Sequence, residues 1–163
     1  MKIRPVSPDD APAIAAIYNY YVQETVVSFE TEALSAEEMG TRIRNIAQEY
    51  PYLVCADEQG RVLGYACAHR WKERAAYRYT WETTIYLHPQ HRGQGLGNML
   101  MDELLLRCRL AGCRVLIACI TQGNEASLSF HRKWGFKQVS HFPQVGCKFG
   151  RMLDVVDMLL PLQ

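Results

Sequence analysis

The sequence predicts one α/β domain that extends over residues 1–163. Runs rich in β-branched and aromatic residues alternate with segments whose apolar residues recur at helical spacing. No linker, repeat or low-complexity segment divides the chain, and 163 residues are enough to bury a substantial core. We therefore expect strands and helices to pack in layers around that core.

The first half of the chain carries two helix signals and three strand signals. Ser7 is a suitable N-cap for a first helix, because a proline follows at the first helical position. Ser35 and Glu38 form a capping box that opens a second helix, and Pro51 ends it. Strand-like runs occupy residues 2–6, 52–56 and 61–69, of which the last two form a hairpin.

The second half alternates strands and helices before a strand-like tail. The predicted strands cover residues 79–87 and 114–120, and the tail from 136 to 162 divides into two strand-like halves around 146–150. One helix begins near residue 96 and is closed by Gly112, and another has Asn124 as its N-cap and ends at Gly135. The predicted order is β-α-α-β-β-β-α-β-α-β-β.

Composition and charge exclude several classes of protein. A formal net charge of +1 gives no global electrostatic argument for binding nucleic acid or an anionic membrane. No apolar run approaches the length of a membrane span, and the first residues lack the apolar core of a signal peptide. We expect a cytoplasmic protein.

The six cysteines form no C-x-x-C pair, which predicts reduced, mostly buried thiols and no metal site.

The turn between residues 87 and 96 has the features of an anion-binding site. Gly93, Gly95 and Gly97 alternate at the start of the predicted helix, where backbone amides have no internal partner and face the positive end of the helix dipole. Arg92 adds a guanidinium suited to phosphate. The spacing is neither a P-loop nor a dinucleotide fingerprint, so we predict a phosphate cradle of another type.

Glu82 is a carboxylate in an otherwise uncharged strand, a few residues before this cradle. A strand carboxylate is costly to bury unpaired, so its position favours either a cleft with a raised pKa or a solvated outer face. The sequence alone leaves both interpretations open.

Two blocks resemble the GNAT N-acetyltransferases. Residues 90–97, QHRGQGLG, are similar to the family's Q/R-x-x-G-x-G/A signature, which grips the pyrophosphate of acetyl-CoA. Residues 124–136 are similar to its second block, N-x-x-S/A-x-x-x-Y/H-x-x-x-G-F. The resemblance covers essentially the whole chain and implies the GNAT fold, a mixed and strongly bent sheet with helices on both faces.

Three further stretches resemble the phosphinothricin and methionine sulfoximine acetyltransferases within this family. Residues 18–32, 76–87 and 145–154 follow that subfamily's blocks in order. The chain departs from them at Trp81 and Thr84, where smaller residues are usual, and at Met152, where tryptophan is usual. The resemblance implies transfer of acetyl from acetyl-CoA to the α-amino group of a small amino acid analogue, by a homodimeric enzyme that needs no metal.

The resemblance also assigns roles to individual residues. Glu82 corresponds to the proposed general base. His131 stands where many relatives carry the tyrosine that protonates the leaving thiolate, so it is expected to act as that acid, as a second base, or as a structural residue. The residues expected to bind acetyl-CoA are Ile85, Tyr86, Leu87, Arg92, Gly93, Gln94, Gly95, Leu96, Gly97, Asn98 and Asn124.

The acceptor of this subfamily carries a carboxylate and a polar tetrahedral head group. We therefore expect cationic side chains to bind it. Arg74, with Lys72 beside it, is the leading candidate, and Arg70, Arg78 and Lys148 are alternatives. The expected acceptor-binding residues are Phe29, Lys72, Glu73, Arg74, Glu82, Thr83 and Thr84. The remaining histidines, at positions 69, 88, 91 and 141, are interpreted as structural or solvent-facing.

Two other hypotheses remain open at this stage. The same fold can acetylate another amine, such as a polyamine, an aminoglycoside or a protein N-terminus, although the basic segment 72–78 disfavours a cationic acceptor. Alternatively, the chain is a non-catalytic module that binds acetyl-CoA. The presence of Glu82 and His131 argues against this second hypothesis.

Overall fold

The computed structural model describes residues 1–163 as one eight-stranded mixed sheet with four α-helices. The strand order is β1-β2-β3-β4-β5-β8-β6, and β7 pairs with β8. The helices are α1 Ala11–Glu24, α2 Ala36–Ala47, α3 Leu96–Leu110 and α4 Glu125–Lys133. The strands are β1 Lys2–Pro5, β2 Tyr52–Ala56, β3 Val62–Arg70, β4 Thr80–Leu87, β5 Val115–Thr121, β6 Lys137–Gln138, β7 Phe142–Lys148 and β8 Arg151–Pro161.

The helices cover both faces of the sheet, as the sequence predicted. Adjacent residues of a strand point to opposite faces, so Leu53 and Val54 of β2 contribute to two different cores. The Leu53 side packs with Leu100 of α3, and the Val54 side packs with Ile14 of α1 and Met39 of α2. The sheet is therefore held between α3 and α4 on one face and α1 and α2 on the other.

The central strands β4 and β5 are parallel but remain paired over only three residues each. Thr80 to Glu82 pair with Val115 to Ile117, and no pairing continues beyond Glu82. The other side of β4 stays paired with β3 as far as Leu87. The edge of β4 that faces β5 is therefore open from residue 83 onward, next to the glycine-rich turn.

The predicted N-terminal caps of the helices are confirmed, whereas α2 ends at Ala47, before the predicted stop at Pro51. Ser7 and Ser35 both form capping boxes, although the first turn after Ser7 is a 3₁₀ turn that leads into α1. Asn124 caps α4 by accepting a hydrogen bond from the Ser127 amide.

The six cysteines are free, and Cys119 and Cys147 are exposed. No helix is long and apolar enough to cross a membrane.

The C-terminal tail differs from the prediction. It contains three strands, because the short β6 precedes the β7–β8 hairpin. The sequence analysis saw only two strand-like halves, since two residues are too few to give a pattern. β8 is a central strand that pairs with β5, β6 and β7, and it buries Val156 and Met158.

Candidate active site

The glycine-rich turn presents backbone amides that lack protein partners. The amides of residues 93–97 have no backbone acceptor, and the first internal bonds of this turn come from Asn98 and Met99 to the Gly95 carbonyl. Gly95 adopts a left-handed conformation with φ 82°, which residues with a Cβ seldom adopt. These amides meet at the positive end of α3, which is the arrangement expected of a phosphate cradle.

Gly97 has a different role from Gly95. A Cβ at Gly97 would lie 3.3 Å from the Phe130 ring, so the missing side chain lets α3 approach α4 closely. Next to it, the side chain of Asn98 accepts a hydrogen bond from the Trp134 indole. Asn98 therefore helps to fix the two helices against each other, and its Nδ2 group is the part left to contact a ligand.

Arg92 lies beside two aromatic rings of α1. Its guanidinium carbon is 5.5 Å from the ring centres of both Tyr20 and Tyr21. The hydroxyl of Tyr21 donates a hydrogen bond to the Leu87 carbonyl, at the end of β4. These contacts tie α1 to the entrance of the turn. They also occupy one of the strand carbonyls that the sequence analysis assigned to the pantetheine amides.

The separation of β4 from β5 forms a cavity of about 120 Å³. Glu82 and Thr84 line it from β4, Cys119 from β5, and Asn124 and His131 from α4 and its cap. Thr83, Ile85 and Tyr86 also line it, and Thr83 is nearly buried, with its hydroxyl 3.5 Å from the Ile117 carbonyl. The structure thus brings the predicted base and the predicted acid to one cleft at the end of the cradle.

Glu82 is largely removed from solvent in this cleft. Burial raises the pKa of its carboxyl above the ordinary value, the nearby His69 opposes this shift, and Asp157 adds to it. A carboxylate with a raised pKa is a stronger base than an ordinary one, which suits removal of a proton from an ammonium group. The cleft interpretation of Glu82 is supported over the solvated one.

His131 is only 3% exposed and is held by its own helix. Its Nδ1 lies 2.8 Å from the Ser127 carbonyl, which can only accept, so Nδ1 carries the proton. Burial lowers the pKa of the imidazole, which favours the neutral ring. The remaining nitrogen, Nε2, is then an acceptor. The resting state of His131 therefore suits a base or a hydrogen-bond acceptor better than an acid.

The predicted acceptor-binding residues are not all brought to this cleft. Lys72, Glu73 and Arg74 are exposed and line a separate cavity of about 240 Å³ beside Trp81. Phe29 packs its ring over the backbone of Gly146 in β7. Within one chain these residues do not share the Glu82 cavity, and their role in binding the acceptor stays a prediction.

Lys148 differs from the solvated charge that the sequence suggested. It is 3% exposed, and its ammonium group donates a 2.6 Å hydrogen bond to the Ser28 carbonyl. Lys148 therefore anchors the segment between α1 and α2 to β7, and it is removed from the group of candidate acceptor cations.

The sequence analysis missed Cys119 and Asp157, which lie opposite each other in the β5–β8 ladder on the Glu82 side of the sheet. Asp157 had the same signal as Glu82, a single carboxylate in an apolar strand. Cys119 had no signal, because an isolated cysteine in an apolar strand is usually a small buried residue.

Unpaired amides at a helix N-terminus, a strand edge left open beside them and a partly buried carboxylate in the cleft form the arrangement expected of an acyl-CoA-dependent transferase. The model of the acetyltransferase (GNAT) family matches residues 14–136. The chain belongs to the GNAT acetyltransferase family, and it is an acyltransferase.

The similar curated proteins indicate the subfamily that this chain resembles within the GNAT family. A phosphinothricin N-acetyltransferase of Alcaligenes faecalis is 42% identical over 98% of this chain and 82% of its own length. An L-methionine sulfoximine/L-methionine sulfone acetyltransferase of Pseudomonas paraeruginosa is 40% identical over 98% of this chain and 94% of its own. The subfamily resemblance seen in the motifs is therefore confirmed over the whole chain.

Solved structures confirm the GNAT fold. A GNAT superfamily phosphinothricin acetyltransferase from Sinorhizobium meliloti, in complex with acetyl-CoA, superimposes with a TM-score of 0.94. It is 38% identical, and the match covers 98% of this chain and 87% of that one.

Proposed function

We propose that this protein transfers the acetyl group of acetyl-CoA to the α-amino group of a small amino acid analogue such as methionine sulfoximine, methionine sulfone or phosphinothricin. The observation that carries the proposal is the position of Glu82 in the β4–β5 cleft, on the strand that leads into the glycine-rich turn. The curated relatives carry names for the same acceptors.

In this proposal the free amides of residues 93–97 bind the pyrophosphate of acetyl-CoA. The pantetheine arm then runs along the open edge of β4, where Ile85 and Tyr86 offer backbone groups in the manner of an added strand. Asn124 and His131 lie on the opposite wall. The thioester would thereby reach the cleft beside Glu82.

Glu82 acts as the general base. An amine with a pKa near 8 is mostly protonated at neutral pH and must lose a proton before it can attack. The Glu82 carboxylate takes this proton, and the amine nitrogen bonds to the thioester carbonyl carbon. The nitrogen then loses its second proton to solvent, and the carbon–sulfur bond breaks. The thiolate that leaves takes a proton from solvent or from a protonated cleft residue.

His131 contributes as a hydrogen-bond acceptor in this scheme. With Nδ1 held by Ser127, its Nε2 can bind a water or the acceptor amine inside the cleft. Phe29 and the segment Lys72, Glu73 and Arg74 supply the acceptor's carboxylate and head-group contacts. Because that segment lies outside the cleft of one chain, this role requires the acceptor to bridge two cavities or a second chain to complete the site.

The experiment is a thiol-release assay with acetyl-CoA and a panel of amines. The panel contains L-methionine sulfoximine, L-methionine sulfone, L-phosphinothricin, ordinary L-amino acids, spermidine, kanamycin and a short peptide with a free N-terminus. Saturation by the first three compounds supports the proposal. Turnover with spermidine, kanamycin or the peptide alone contradicts the acceptor assignment. Binding of acetyl-CoA with no turnover on any amine would favour a non-catalytic module.

We further propose a homodimer in the cytoplasm. Exposed apolar side chains cluster on β7, the β7–β8 turn and the adjoining start of β8, and they are Phe142, Val145, Phe149 and Met152. The apolar segment 155–161 of β8 is unsuited to this role, because it pairs with β5 and β6 within the sheet. Four buried free thiols suit a reducing compartment. Light scattering on a gel-filtration column tests the dimer, and a monomer that retains full activity would contradict it.

A further inference from the structure

His69 lies directly opposite Glu82 in the antiparallel ladder between β3 and β4. Directly opposed residues of such a ladder point to the same face, with Cβ atoms about 4.5–5.5 Å apart. The sequence analysis interpreted His69 as structural or solvent-facing, because nothing near it in the sequence is a partner. The register of the sheet instead makes it the cross-strand neighbour of the proposed base.

Both ring nitrogens of His69 have partners that tolerate a change of charge. Nδ1 lies 3.1 Å from the Arg70 carbonyl, which only accepts, so this nitrogen carries a proton. Nε2 lies 3.3 Å from the Thr84 hydroxyl, which can donate to a neutral ring or accept from a protonated one. The ring can therefore gain a proton at Nε2 and keep both contacts.

His69 also has access to solvent. It lines a cavity of about 540 Å³ between α2 and the sheet, and this cavity opens at the surface. Thr84 lines both this cavity and the cleft that contains Glu82. The side chains of Thr84 and His69 thus form the boundary between the cleft and the larger space.

The other titratable and charged groups around Glu82 and His69 do not take the place of the His69 imidazole. His131 lines the same cleft as Glu82, but burial lowers the pKa of its ring and disfavours the protonated form. Asp157 has the same charge as Glu82, and burial raises the pKa of the Cys67 thiol to about 12. Cys119 is accessible from the cleft, but desolvation there, with the charges of Glu82 and Asp157, also raises the pKa of its thiol to about 12, so both thiols stay neutral. Arg42 is paired with Glu30 at 2.7 Å. Glu49 and Arg70 are exposed, where solvent screens their charges.

We propose that His69 is a positioning residue for Glu82: its neutral ring accepts the proton that Glu82 removes from the acceptor, and the imidazolium so formed stabilises the restored carboxylate. The O–H bond of the Glu82 acid breaks and an N–H bond forms at His69 Nε2, with the proton relayed through the Thr84 hydroxyl, which lies 3.3 Å from Nε2. His69 then releases the proton to water in the larger cavity. This inference rests on the proposed function, in which Glu82 is the base.

The first test is an NMR titration of the His69 ring in the wild type and in Glu82→Gln. Coupling between two titrating sites is reciprocal. Removal of the carboxylate in Glu82→Gln should therefore lower the titration midpoint of His69, and removal of the imidazole in His69→Gln should raise the titration midpoint of Glu82 by the same amount. An unchanged His69 midpoint in Glu82→Gln overturns the inference, and this readout requires no turnover.

The second test is the pH profile of kcat/KM in His69→Gln. We expect its acid limb to move to higher pH, with a loss of about 3-fold to 10-fold at pH 6, and the KM for acetyl-CoA to stay unchanged. His141→Gln is the matched control, because His141 pairs with Asp154 at 2.7 Å outside the cleft, and its profile should overlay the wild type. A His69→Gln profile that overlays the wild type overturns the inference. His69→Asn is used if His69→Gln fails to fold.

The outcomes separate the inference from the proposed function. If Glu82→Gln retains its activity, Glu82 is not the base, and both ideas fail. If Glu82→Gln is inactive but neither variant shifts the titration of the other residue, only the inference about His69 fails.

Discussion

Glu82 and Ile117 form the last parallel pair between β4 and β5. Beyond this pair the two strands separate, so the carboxylate lies at the narrow end of the cleft and the glycine-rich turn lies at the open end of β4. A thioester that follows the open edge of β4 from the turn is thereby directed toward the base. In the proposed function, the relationship between these two residues allows one short segment both to bind the co-substrate and to carry the base.

Replacement of the base tests the chemistry directly. In Glu82→Gln we expect kcat to fall by at least about 100-fold, the usual scale for loss of a general base. Acetyl-CoA binding should be retained, because the cradle amides belong to residues 93–97. Steady-state kinetics and calorimetric titration with acetyl-CoA measure the two quantities. A variant with nearly full activity would remove Glu82 from the mechanism.

The same substitution should change how stability depends on pH. The folded protein raises the pKa of Glu82 above its unfolded value, so the neutral acid is the form that folding favours. Its contribution to stability is complete below the unfolded pKa and is lost as pH rises through the folded one. We therefore expect the unfolding free energy of Glu82→Gln, relative to wild type, to be greater at pH 8 than at pH 4. Urea unfolding at both values measures this difference, and an equal difference at both would contradict it.

Gly95 and Gly60 allow a matched test of the cradle. Both have a positive φ, 82° at Gly95 and 80° at Gly60. A Cβ atom added at either position would have no other heavy atom within 4 Å. Alanine at either position should cost about 1–2 kcal/mol of stability, because each would hold a left-handed conformation.

The two alanine variants should differ in binding. We expect Gly95→Ala to weaken acetyl-CoA binding about tenfold or more, since disturbance of the turn misaligns the amides of residues 93–97. Gly60→Ala lies in the turn between β2 and β3 and should bind normally. Equal acetyl-CoA affinities of the two variants would show that the glycine-rich turn does not bind the co-substrate.

Lys148 should contribute to stability through its buried hydrogen bond to Ser28. In Lys148→Met the Ser28 carbonyl loses this donor, which should lower the unfolding free energy by about 1–3 kcal/mol. Lys137→Met is the control, because Lys137 is exposed on β6 and should change stability by less than about 0.5 kcal/mol. Chemical denaturation compares the two, and equal effects would show that the buried contact contributes little.

His131 should remain neutral at pH 7. Burial lowers the pKa of its ring, and the Ser127 carbonyl fixes the tautomer with a proton on Nδ1. Nitrogen chemical shifts of the ring report both properties without an activity measurement. A ring that is protonated at pH 7, or that carries its proton on Nε2, would support the alternative role as an acid.

The sequence by itself determined the features that depend on local spacing. The capping residues Ser35 and Asn124, the alternating glycines of residues 93–97 and the carboxylate at Glu82 are each readable from neighbours within a few positions. These signals, with the family blocks, were enough to predict the fold class and to place Glu82 on the strand before the glycine-rich turn.

Only the tertiary structure decided which distant residues meet. Strand register decides that His69 lies opposite Glu82 and that Cys119 lies opposite Asp157. A slip of one residue would turn these side chains to the other face of the sheet. The burial of Lys148 depends on how the segment after α1 packs against β7. Such contacts join residues far apart in the chain, and no spacing within the sequence encodes them, because the sheet that creates them is assembled from elements separated by helices.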